Sequence, residues 1–92
     1  MYWTTGSGRI ELKMTKQIAA ICSHQGQCDN DVDYIINTMP QISKQLDAIP
    51  ADLLAAELKE YGAWDEIELK DNTANKQRIL WIAAGDIIEG NR

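Results

Sequence analysis

Between Asn72 and Glu89 the chain reads NTANKQRILWIAAGDIIE, which holds its most apolar continuous run, and a helix built from it constrains everything else. At about 100° per residue, Ile79, Leu80, Trp81, Ile82, Ala83, Ala84, Ile87 and Ile88 cover well over half of the circumference. Such a helix is expected to be buried on several sides. Arg78, Gly85 and Glu89 form its solvent strip, and Asp86 projects between Ile79 and Ile82, inside or at the edge of the apolar arc. The expected fold is all-α: a small helical bundle of four to six short helices around a buried C-terminal helix.

With 92 residues, 45% of them hydrophobic and 25% charged, the chain suits one globular domain over residues 1–92. It contains no Phe, so its aromatic bulk rests on Trp3, Trp64, Trp81 and three tyrosines, most of them expected in or against the core. No stretch approaches the ~18 apolar residues of a membrane span, and no basic start leads into an apolar run as in a signal peptide. The expected setting is cytoplasmic, without membrane contact. Two cysteines six residues apart are too few for a disulfide framework and suit a reducing compartment. The net charge is −5, and thirteen of the fourteen acids lie beyond residue 27, which argues against direct binding to nucleic-acid backbones.

The N-terminus alone does not read as helix. Tyr2-Trp3-Thr4 and the alternating Arg9-Ile10-Glu11-Leu12-Lys13-Met14 flank Thr5-Gly6-Ser7-Gly8, the pattern of a β-hairpin over residues 1–14. An isolated hairpin is marginal in water, so it must lie on the helices of residues 15–90 or pair with a second copy, giving a homodimer. The rival reading makes residues 1–8 a flexible leader.

Thr15 is expected to cap a short helix carrying Ile18, Ile21 and Cys22, broken at Ser23 to Gln27. Asp29 or Asn30 caps the next, with Val32, Ile35, Ile36 and Met39 inward, and Pro40 ends it. Pro40 then opens a helix burying Ile42, Leu46 and Ile49. Pro50 opens another burying Leu53, Leu54, Leu58 and Tyr61, with Gly62 as its left-handed stop. Asp65 to Glu68 resembles a capping box that starts a short helical turn ending near Asp71.

Chemistry has few places to sit. Cys22, His24 and Cys28 are zinc-type ligands, but Cys22 to His24 is a tight spacing and no fourth Cys or His exists, so an acid such as Asp29 would have to complete the shell. A buried cysteine pair with a hydrogen-bonding His24 is the blander reading. No metal or cofactor is expected, and no catalytic residue, because the single His lacks an orienting partner and an oxyanion loop. Asp86 among isoleucines must be met by a donor, whether His24, a Trp or Tyr, the amides of a helix N-terminus or the hairpin backbone. That makes Asp86, with His24, a structural polar group.

Glu57, Glu60, Asp65, Glu66, Glu68 and Asp71 cluster within fifteen residues. Such a run is usually a solvated face. The sharper reading adds Trp64 and makes Trp64, Glu57, Glu60, Asp65, Glu66 and Glu68 an interaction surface, acidic enough to dock in a basic groove.

Tyr61-Gly62-Ala63-Trp64, then Glu68-Leu69-Lys70-Asp71 and Arg78 to Ile87, RILWIAAGDI, together with Ser23 to Asp29, resemble small proteins of unknown function from bacteria and their mobile elements. By class that likeness implies accessory proteins of phages, prophages and gene cassettes, anti-CRISPR inhibitors among them. The expected role is thus a noncatalytic accessory protein acting through a protein partner. Two alternatives stand beside it: an acidic inhibitor occupying a nucleic-acid site on a host enzyme, and a small metal protein or enzyme at Cys22, His24 and Cys28.

Overall fold

A chain that alternates Ile10, Leu12 and Met14 with Arg9, Glu11 and Lys13 can bury one face only by lying as an extended strand on a core, and it does so. The structure, a computed structural model, describes residues 2–23, 28–62 and 72–90, and the side chains of all of these but residues 28–31. Strands β1 (Tyr2–Thr4) and β2 (Glu11–Lys13) pair antiparallel, with Trp3 opposite Leu12. Ile10, Leu12 and Met14 are all buried, but the strand is shorter than the alternating run, because the amides of Arg9 and Ile10 turn onto Thr5 Oγ1 at 3.0 and 3.3 Å. Trp3 is fully buried, whereas a flexible leader would carry no core residue.

Five helices follow: α1 (Lys16–Cys22), α2 (Cys28–Thr38), α3 (Pro40–Asp47), α4 (Ala51–Tyr61) and α5 (Asn72–Glu89). Thr15 caps α1, its Oγ1 accepting the Ile18 amide at 3.1 Å. α2 begins at Cys28, ahead of the expected caps Asp29 and Asn30, and ends where Pro40 forbids continuation. Pro40 opens α3, whose Ile42 and Leu46 are buried. Pro50 caps α4 from an extended conformation instead of serving as its first helical residue, and Gly62 ends that helix at φ 65°. The capping box and short turn expected at Asp65 to Asp71 lie outside the described residues.

Two expected burials are reversed on α4. Tyr61 is 38% exposed, while Glu57, expected on an acidic surface, is 1% exposed. Position 57 falls in the same helical arc as Leu54 and Leu58, so backbone phase carries it inward whatever its charge.

α5 spans the expected residues and receives α1, α2, α4 and β1 along its length. Asn75, Ile79, Leu80, Ala83, Ala84 and Ile87 are buried there. The apolar arc is nevertheless not closed. Trp81 and Ile88, within about 20° of each other on the helical wheel, are 46% and 42% exposed. This corrects the reading of Trp81 as an interior residue: tryptophan on a helix flank can cover the core with its near edge and leave the rest in water. No described helix is long and apolar enough to cross a membrane.

Candidate functional site

The carboxylate on α5 has a donor. Trp3 Nε1 donates to Asp86 Oδ2 at 2.6 Å, so the isoleucine-flanked acid is met by an indole, one of the partners its position calls for. His24, the other expected structural polar group, lies outside the described residues.

Glu57 is held by the hairpin turn. Ser7 Oγ donates to Glu57 Oε1 at 2.5 Å, and Arg9 Nε stands 3.8 Å from the same oxygen. Arg9 also reaches Glu60 Oε1 at 3.7 Å. Ser7 Oγ lies 3.1 Å from Thr5 Oγ1, which in turn accepts the Arg9 and Ile10 amides. A buried carboxylate is tolerable only with such donors. Their arrangement closes the turn onto α4, and it removes Glu57 from any docking surface. Trp64, Asp65, Glu66 and Glu68 lie outside the described residues.

Cys22 is buried in the core. His24 and the side chain of Cys28 are outside the described residues, and among the described ones no three His, Cys, Asp or Glu side chains could share a metal ion.

A groove lies where the end of β2 meets α1 and α3. It encloses about 540 Å³ and is lined by Lys13, Met14, Thr15, Ile18, Thr38, Met39, Pro40, Gln41, Ile42 and Gln45. Met14 and Ile42 form its floor, and Ile18 and Met39 are half-buried in its walls. No acid stands among these ten residues, although the chain has fourteen acids and nine bases.

Hydrogen-bond phase along the hairpin shows what the groove borders. Thr5 N–H donates to Ile10 O at 3.0 Å, which makes Thr5 and Ile10, and two residues on Trp3 and Leu12, the inward-bonded pairs. The main-chain groups of Glu11 and Lys13 therefore point away from β1. At Lys13 both are engaged by one side chain: its N–H donates to Gln45 Oε1 at 2.6 Å, and Gln45 Nε2 donates to its carbonyl at 3.0 Å. The Gln45 amide occupies the place of a third-strand peptide group, which covers part of the edge expected to pair two copies.

Neither Gln45 nor the groove was legible in the sequence, since both depend on α3 being brought against β2. Glu57 carried a signal, because it shares a helical phase with Leu54 and Leu58. No protein-family model, curated protein or solved structure matches the chain.

Proposed function

We propose that this protein is a noncatalytic binding module, an accessory protein of the kind carried by phages, prophages and gene cassettes, and that it works by holding a polypeptide partner in the groove between β2 and α3. The observation that carries the reading is the groove itself, an open apolar cleft of about 540 Å³ that has Lys13 and its main-chain partner Gln45 in its lining. Apolar clefts with a few fixed polar groups are the usual form of a binding site. The charged groups that would otherwise invite a catalytic reading already have structural partners, Asp86 on Trp3 and Glu57 on Ser7 and Arg9.

The acidic-inhibitor reading draws less support, because Glu57 is withdrawn into the core and Glu60 faces Arg9. Affinity capture from the producing cell tests the proposal with three baits: the natural chain, Gln41→Trp and Trp81→Glu. Gln41 and Trp81 are exposed, so neither change endangers the fold. A polypeptide retained by the natural chain and by Trp81→Glu, but lost with Gln41→Trp, is the expected result. Retention indifferent to Gln41→Trp, or no retained polypeptide, overturns it.

A further inference from the structure

We propose that the groove takes an extended, acidic peptide that adds to β2 as a third strand at Glu11 and Lys13, displacing the Gln45 amide from the Lys13 main chain. The proposal rests on the reading of the groove as a polypeptide site and names the partner's conformation and charge.

Gln45 is the first argument. A side-chain amide has the donor and the acceptor of a peptide group, and here it offers both to the N–H and C=O of one strand residue, at 2.6 and 3.0 Å. An incoming peptide residue would replace those two bonds with two of the same kind, so the exchange costs little in hydrogen bonding. Two residues back, Glu11 presents the same outward pair of groups, and no described residue bonds them. Strand addition would then bring new bonds at Glu11 and apolar burial in the groove, the two sources of affinity in this mode of recognition.

Side-chain alternation supplies the second argument. Leu12 and Met14 face the core side of the hairpin, and Glu11 and Lys13 face away. A strand laid beside them would turn every second residue toward Ile18, Met39 and Ile42 and the others outward. The inward positions call for aliphatic side chains.

Charge is the third. Lys13 stands in the lining, and Lys16 and Lys44, both exposed, directly follow Thr15 and precede Gln45. In a chain of net charge −5 this is a local reversal of sign. It favours acids at the outward positions of the peptide that fall beside Lys13, Lys16 and Lys44, away from Glu11.

Selection from a library of random twelve-residue peptides on the immobilised full chain tests this, followed by titration of the enriched peptide into isotope-labelled protein. The expected consensus alternates acidic and aliphatic residues. Its binding should perturb the Glu11 and Lys13 main-chain amides and the Gln45 side-chain amide, slow exchange at the Glu11 amide, and weaken with salt. Gln45→Ala should bind it roughly fivefold more tightly, because the internal competitor is gone, while Gln41→Glu should weaken it. No enrichment, a basic consensus, or a helical peptide that fills the groove without perturbing Glu11 and Lys13 overturns the proposal. The helical result would leave the groove as a polypeptide site and remove only strand addition, and capture from the producing cell judges the broader reading separately.

Discussion

Trp3 and Asp86 stand 83 residues apart in the chain and 2.6 Å apart in space, the indole N–H of β1 on the carboxylate of α5. The contact fastens the first strand to the last helix with one hydrogen bond to a charged acceptor. Because Trp3 is fully buried, losing the acceptor strands its donor where water cannot easily replace it.

Asp86→Ala should accordingly lower stability by about 1–3 kcal/mol, and Asp86→Asn, which keeps an acceptor oxygen, by less. Urea unfolding of both variants, with Trp3→Phe and the double change, measures the coupling. An unchanged midpoint for Asp86→Ala would show that the bond has no structural role.

Glu57 presents a different balance, since its partners Ser7 and Arg9 are exposed and can return to water. Glu57→Gln keeps an acceptor for Ser7 and should cost under about 1 kcal/mol, whereas Glu57→Ala leaves a cavity beside Leu54 and Leu58 and should cost about 1–3 kcal/mol. Arg9→Ala should cost under about 1 kcal/mol, as half-exposed ion pairs do. Equal losses for Gln and Ala at position 57, read by thermal or urea melts, would assign the cost to charge instead of packing.

Adjacent residues on α5 should behave oppositely. Leu80→Ala removes a fully buried side chain and should cost about 2–5 kcal/mol, while Trp81→Ala should cost under about 1 kcal/mol. Comparable losses in the two melts would mean that Trp81 is packed in solution.

Two glycines likewise separate. Gly85 lies within α5 and a Cβ there meets nothing within 4 Å, so Gly85→Ala should raise stability by about 0.5–1 kcal/mol through helix propensity. Gly62 ends α4 at φ 65°, and Gly62→Ala should cost about 1 kcal/mol for the left-handed backbone. The same unfolding measurement reads both, and a shift of equal sign would contradict the contrast.

Local rules written in the sequence carried far along this chain. Thr15, Pro40 and Gly62 mark helix ends because capping, proline geometry and left-handed backbone act within one turn, and the far end of α5 follows from where its apolar run stops. The alternation from Ile10 to Met14 likewise dictates a strand with one buried face. Helical phase places Glu57 inward with Leu54 and Leu58, against what its charge alone suggests. What tertiary structure alone decided is which neighbours arrive. Hydrophobicity states that Trp81 gains by burial, yet whether any element covers that flank of α5 depends on how α1, α2, α4 and β1 share its surface, and they leave it open. The groove and the Gln45 clasp on Lys13 belong to the same class, for they arise only when α3 is laid against β2, 32 residues away from the strand residue it closes.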